Sequence, residues 1–157
     1  MRGSAVIIAS FLVALALAKL PMPDWAELWR PAWVALVLIY WCIALPGRTG
    51  VVVGWLVGLA VDVMSGTLLG QHAVAFAVVA FVSNRLHLRL RVLPLLQQAL
   101  TVFVLVFIGQ VLILWINGVK GAPVALAAYV TVPVMSMLLW PWVFVVLRDA
   151  RRRFSVA

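Results

Sequence analysis

The chain is a series of long apolar runs interrupted by short clusters of charge, and this alternation limits its fold more than any other feature. Hydrophobic residue types make up 67% of the 157 residues and charged types only 10%, with a mean hydropathy of +1.20. Soluble domains have about 45–50% apolar and about 25% charged residues, so the composition excludes a soluble globule. A disordered chain is also excluded, because disorder requires low hydrophobicity and high charge. The pattern predicts an integral membrane protein.

Six apolar runs predict an all-α, polytopic protein with six transmembrane helices in a single domain. A helix needs about 20 residues to cross the bilayer, and several runs are shorter, which predicts local thinning or broken helices. Two prolines in the sixth run, Pro133 and Pro141, predict kinks in that helix. The predicted spans are residues 4–20, 31–45, 50–69, 72–84, 95–116 and 124–147, followed by a basic cytoplasmic tail at 148–157.

The distribution of lysine and arginine predicts the orientation of the spans, because cytoplasmic loops carry an excess of both. With the N-terminus inside, the outer segments contain three basic residues: Lys19, Arg30 and Lys120. The inner segments then contain nine: Arg2, Arg48, Arg85, Arg89, Arg91, Arg148, Arg151, Arg152 and Arg153. We therefore expect both termini in the cytoplasm. The net charge of +8 is then a membrane feature that attracts anionic lipid, and we expect no nucleic-acid partner.

The first run has two interpretations. Arg2, the apolar stretch after it and Ala16–Ala18 also form the pattern of a secretory signal with a small-residue cleavage site. Cleavage would leave five spans with an outside N-terminus. We favour a retained first helix, because five further spans follow it.

Few residues are suited to catalysis or metal binding. One cysteine, Cys42, and two histidines, His72 and His87, cannot assemble the three or four ligands of a zinc site. Asp24 and Glu27 lie among tryptophans on an outer segment and are interpreted as a solvated interfacial face. No phosphate-binding loop, dinucleotide fingerprint or HExxH motif is present. We expect no enzymatic activity, no cofactor and no metal.

The third span carries glycine at every fourth position of its first half. Gly50, Gly54 and Gly58 form a small-xxx-small stripe, which lets another helix backbone approach closely in a bilayer. The partner of this stripe is either another helix of the same chain or the span of a second protein.

Asp62 follows the stripe within the same span, where an unpaired acid costs about 2.5–3.5 kcal/mol on insertion scales. The segment after it is too polar and glycine-rich for a lipid-facing helix and predicts a re-entrant or helix-breaking loop. Either Asp62 is a structural acceptor that orders this break, which we favour, or it belongs to a transporter-like proton or substrate site. The polar residues considered with it are Gly66, Thr67, Gly70, Gln71, His72 and, in the middle of the fifth span, Gln110.

Several of these stretches resemble the MreD family of bacterial rod shape-determining proteins, in its proteobacterial form. The resemblance covers nearly the whole chain, and its most specific stretch is Gly58–Ala73. Further matching segments are Pro31–Trp41, Ala44–Arg48, Leu88–Arg91, Pro94, Gln97–Ala99, Ser136 and Leu139–Pro141.

The resemblance implies a non-enzymatic, multi-pass component of the cell-elongation machinery in the bacterial inner membrane. It implies direct association with MreC, a single-span periplasmic protein, and through MreC with MreB. The wider assembly that it implies includes RodA and a class B penicillin-binding transpeptidase. It also implies a fold similar to the substrate-binding membrane subunits of energy-coupling-factor transporters. That similarity keeps open a transporter-like binder of a small molecule or a lipid-linked precursor.

Overall fold

In the computed structural model of the chain, residues 2–21, 23, 29–66, 69–121 and 126–154 are described. Within these residues the regular structure is all helical, without a β-strand, and the prediction of an all-α protein is confirmed. The helices are α1 (Arg2–Ala18), α2 (Trp33–Ala44), α3 (Val51–Ser65), α4 (Gln71–Val92), α5 (Leu95–Lys120) and α6 (Leu126–Arg153).

The shortest helix, α2, lies at the centre of the bundle. Its residues Val34–Ala44 are all buried, and it contacts α1, α4, α5 and α6. An all-apolar helix without a polar face is typical of such a buried position. The indole Nε1 of Trp41, a fully buried side chain, donates a hydrogen bond of 2.8 Å to Ser10 Oγ of α1. This bond ties the first helix to the core.

Among the described residues, three helices are long and apolar enough to cross a bilayer: Gln71–Val92, Leu95–Lys120 and residues Tyr129–Arg153 of α6. The other three are apolar but shorter, and α2 has only 12 residues. At about 1.5 Å per residue α2 extends roughly 18 Å, against about 30 Å of hydrocarbon. Irregular backbone at membrane depth is tolerated where protein surrounds it, and α2 is surrounded by other helices.

The fourth and sixth helices extend beyond their predicted ends. We expected the fourth span to end at residue 84, but α4 continues to Val92. The predicted tail after residue 147 likewise begins as helix, since α6 continues to Arg153. Leucine and arginine are good helix formers, and long arginine side chains reach water from a helix surface. The charged residues in these segments therefore do not end the helices.

Proline ends α4 sharply. Pro94 disfavours the helical conformation in the preceding residue, and Leu93 is extended with φ −76° and ψ 145°. The chain reverses over these two residues, and α5 begins at Leu95. The amide Nε2 of Gln98 then donates a 2.6 Å hydrogen bond to the carbonyl oxygen of Leu90 across the junction.

Pro133 and Pro141 both lie inside α6, which continues past each of them. The kinks predicted at these positions stay a prediction. Between the two prolines, Ser136 Oγ donates to Val132 O of its own helix and accepts the backbone N–H of Ala32 at 3.0 Å. This hydroxyl holds the start of α2 against α6.

Candidate functional site

Asp62 lies in the last turn of α3 and is fully buried. Its Oδ2 accepts the backbone N–H groups of Gly70 at 2.9 Å and Ala73 at 3.4 Å. The backbone N–H of His72 lies between both carboxylate oxygens, 3.0 Å from Oδ1 and 3.2 Å from Oδ2. These donors surround the first residues of α4. The Asp62 carboxylate is therefore an N-terminal cap supplied by the preceding helix.

The cap provides acceptors for backbone N–H groups at the start of α4. The first N–H groups of a helix have no partner within it, and the positive end of the helix dipole favours a carboxylate there. Two glycines shape the turn between the helices: Gly66 ends α3 at φ 68° and Gly70 precedes α4 at φ 102°. The N–H of Gly66 bonds to the carbonyl of Asp62. Asp62 thus contributes to both helix ends: its carbonyl accepts the N–H that closes α3, and its carboxylate accepts N–H groups at the start of α4.

His72 completes the arrangement. Its ring Nδ1 lies 2.8 Å from Asp62 Oδ1, and its ring packs edge-on against Phe76 with centroids 5.9 Å apart. An ionised carboxylate only accepts hydrogen bonds, so Nδ1 is the donor in this pair when Asp62 is ionised. Both oxygens of Asp62 are therefore occupied by donors of the chain itself. The break predicted after Asp62 is present, since α3 ends at Ser65 and α4 begins at Gln71, while Thr67 lies outside the described residues.

A polar network continues from this turn to α5 and α6. Gln71 is buried and donates from Nε2 to Asn117 Oδ1 at 3.1 Å. Asn117 Nδ2 donates to the hydroxyl of Tyr129 at 2.7 Å, and Lys120 Nζ donates to Gln71 Oε1 at 3.3 Å. The sequence analysis missed Asn117 because it ended the fifth span at residue 116, whereas α5 continues to Lys120. It did not single out Tyr129 either. The spacing of three between Asn117 and Lys120, which places both on one helix face, is the signal that was available. Gln110, further along α5, is half-buried.

The glycine stripe packs against α4 within the chain. A Cβ added at Gly54 would lie 2.7 Å from the carbonyl oxygen of Phe76. A Cβ added at Gly58 would lie 2.5 Å from the backbone N of Ala73 and from the carbonyl oxygen of His72. Two backbones therefore meet at these positions, as small-xxx-small contacts allow. Gly50 is looser, with Asn84 Nδ2 3.1 Å from its added Cβ.

The same packing positions the cap. Gly58 contacts the first turn of α4, and Asp62 reaches the N–H groups of that turn from one helical turn further along α3. Without a side chain at residue 58, the helix start comes close enough for the carboxylate to bind it. The stripe and the acid, which the sequence presented separately, form one structural unit between α3 and α4.

The opposite end of the bundle carries arginines that the sequence analysis assigned to the cytoplasmic side. Arg91 donates from Nε to Ile43 O and from Nη2 to Ala44 O, both at 2.9 Å, and so caps the last carbonyls of α2. Arg85 lies over the Phe81 ring at 5.5 Å and Arg148 over the Phe144 ring at 5.8 Å. The side chains of Arg89, Arg152 and Arg153 are exposed.

Comparison with known proteins gives the family. A sequence profile described as "rod shape-determining protein MreD" matches residues 2–150. The chain belongs to the MreD family. The rod shape-determining protein MreD of Haemophilus influenzae is 33% identical over 150 residues, which cover 96% of this chain and 93% of that relative. No solved structure matches the chain.

Membership in the MreD family confirms the resemblance deduced from the sequence and fixes the broad function. MreD is a family of membrane proteins that determine cell shape and is not a known enzyme family. The chain therefore has a role in rod shape determination. Its long apolar helices agree with a membrane location.

Proposed function

We propose that the chain is a non-enzymatic scaffold of the bacterial inner membrane that binds MreC in the cell-elongation complex. Through MreC it helps to link MreB to the peptidoglycan synthases, RodA and a class B penicillin-binding transpeptidase. The family supports this proposal, because its members determine rod shape. The structure supports it as well, since most described residues lie in packed apolar helices, where contact with other membrane spans is the available mode of action.

We further propose six spans with both termini in the cytoplasm, in an arrangement similar to the substrate-binding subunits of energy-coupling-factor transporters. The six described helices and the arginine-rich end support this topology. The short helix α2 is compatible with a span because neighbouring helices cover it.

Reporter fusions test the topology. A fusion after Ala157 is expected to be active with a cytoplasmic reporter and silent with a periplasmic one. An insertion at Gly121, between α5 and α6, is expected to give the reverse, because Lys120 is its only close basic residue. The same reporter activity at both positions would contradict a final span between them.

The observation that carries the proposed MreC contact is an apolar groove of 870 Å³ between α1 and α6. The α1 side of the groove includes Ala5 and Ala9, one helical turn apart, and both are exposed. Such a small-residue pair is typical of helix contacts in bilayers, where dispersion requires close backbone approach. The α6 side offers larger side chains, among them Trp142 and Val146. This groove has room for one face of a single transmembrane helix, and the single span of MreC is the occupant we propose.

The glycine stripe is a poor dock by comparison. Gly54 and Gly58 already contact the backbone of α4, so a second helix cannot occupy that face without separating α3 from α4. The transporter-like alternative also loses support, because both oxygens of Asp62 are engaged by donors around the start of α4.

One substitution in the groove and a matched control test the MreC contact. Ala9→Leu fills the groove, and Ala16→Leu adds the same side chain at an exposed position of α1 that does not line it. Both variants are expected to accumulate normally. Co-purification of MreC is expected to fall at least about tenfold with Ala9→Leu, as a lost close contact of 1.4 kcal/mol would give, and cells should round. The Ala16→Leu variant should retain MreC. Equal retention by both variants would rule out the groove as the dock.

A further inference from the structure

A small cavity opens at the arginine-rich end of the bundle, where α2, α4 and α6 end and α5 begins. Its volume is 220 Å³, and its polar lining consists of Tyr40, Arg91, Gln98, Arg148 and Arg151. Trp140 and Phe144 supply part of its apolar wall. The cavity is separate from the α1–α6 groove and from the Asp62 cap. The proposed scaffold role does not account for this cavity.

Three arginines line this cavity with little negative charge to balance them. The acidic residues in the described part of the chain are Asp62, at the other end of the bundle, and Asp149. Asp149 lies 3.9 Å from Arg148 Nε, but 66% of its side chain is exposed and it does not line the cavity. Like charges that line one cavity repel one another, and the 45% exposure of the Arg148 side chain means that solvent screens part of this repulsion. A bound anion would relieve this repulsion.

Two of the polar groups, Arg91 and Gln98, are held in place before any ligand binds. Arg91 is fixed by its two hydrogen bonds to the carbonyls of Ile43 and Ala44. Arg151 lines the cavity together with Tyr40, whose side chain is buried. Gln98 is fixed between Leu90 O and Trp140 Nε1, which donates to its Oε1 at 3.3 Å. Rigid positioning lowers the entropy cost of binding.

We propose that this cavity binds a phosphate group, with Arg148 and Arg151 as its main ligands. Arginine donates in a planar fork that matches phosphate oxygens, so it is favoured wherever phosphate is recognised in two-pronged geometry. Basic pockets between transmembrane helices at the cytoplasmic side are typical sites for phospholipid headgroups. Trp142, 75% exposed on α6, lies two residues from both Trp140 and Phe144 of the cavity wall, and exposed tryptophan is enriched at headgroup depth. The phosphate belongs either to an anionic lipid or to a soluble phosphate compound.

Neighbouring arginines on α6 provide a matched test. Arg151→Gln removes a cavity ligand, whereas Arg152→Gln removes the same charge one residue away and outside the cavity. The protein is purified in uncharged detergent and titrated with short-chain phosphatidylglycerol, and separately with inorganic phosphate. Phosphatidylcholine, a zwitterion whose phosphate is balanced by its own ammonium group, is the comparison lipid without net charge. Binding is followed by thermal stabilisation and by native mass spectrometry.

The wild-type protein is expected to bind at least one phosphate probe saturably and to bind phosphatidylcholine weakly. Arg151→Gln should weaken binding about tenfold or more, as expected for a lost hydrogen bond between charged groups, and Arg152→Gln less than about twofold. If Arg151→Gln does not fold, Arg148→Gln and Arg151→Lys replace it, and the lysine variant should bind more weakly than wild type while keeping its charge. Saturable lipid binding identifies a headgroup, and binding of inorganic phosphate alone identifies a soluble ligand. Equal weakening by Arg151→Gln and Arg152→Gln, or no saturable binding of either probe, would overturn the proposal.

Discussion

Replacing Asp62 by leucine is expected to remove most of the folded protein from the membrane. The substitution leaves the N–H groups of Gly70, His72 and Ala73, and the ring N–H of His72, without their acceptor. Each unsatisfied buried donor costs about 1–3 kcal/mol. Because total stabilities are about 5–15 kcal/mol, the loss of several such bonds is a large fraction of the whole. The amount of monodisperse protein, measured with a C-terminal fluorescent fusion after size-exclusion chromatography, checks this result.

Two further variants distinguish a structural cap from a charge used in transport. Asp62→Asn keeps one acceptor oxygen but points an amide donor at backbone donors, so we expect an intermediate loss of stability. Asp149→Asn removes an exposed acid and should behave as wild type, because exposed ion pairs contribute about 0–1 kcal/mol. An Asp62→Asn protein that accumulates and melts normally but no longer supports rod shape would contradict the cap. It would restore the transporter-like alternative.

Replacing Gly58 by alanine is expected to be the second most damaging change. The added Cβ would lie 2.5 Å from the Ala73 nitrogen and the His72 oxygen, and neither is the end of a flexible side chain. The helices α3 and α4 must therefore move apart, and overpacking of this kind costs about 1–3 kcal/mol. The movement also lengthens the hydrogen bonds of the Asp62 cap, so the effect should approach that of removing the acid. Thermal unfolding of the purified protein in detergent measures the loss.

Glycine at another helical position provides the control. A Cβ added at Gly118 of α5 would meet no atom within 4 Å. Alanine there should stabilise the helix by roughly 0.5–1 kcal/mol, since glycine loses more conformational freedom on folding. Gly54→Ala should fall between the two, because its Cβ would lie 2.7 Å from the Phe76 oxygen. Equal melting temperatures for Gly58→Ala and Gly118→Ala would contradict the close approach of the α3 and α4 backbones at Gly58.

Much of the architecture was predictable because a bilayer restricts the chain so strongly. Apolar runs separated by charge give helices, since hydrocarbon offers no partner for free N–H and C=O groups. The break after Asp62 was also predictable, because Gly66 and Gly70 suit left-handed conformations that other residues rarely adopt. The extension of α4 to Val92 was not, because the sequence signal is apolarity while helix formation depends on backbone propensity.

The sequence by itself determined the class of the protein, its helical segments and the requirement that Asp62 have a partner inside the bundle. Only the tertiary structure decided which groups meet: that Asp62 caps α4, that the Gly54–Gly58 face is filled by the same chain, and that α2 is the central helix. The physical reason is that lipid tails are as apolar as leucine side chains, so hydrophobicity does not distinguish a helix facing lipid from one facing protein. Close packing and directional hydrogen bonds make that distinction, and both depend on distances between segments that lie apart in the sequence.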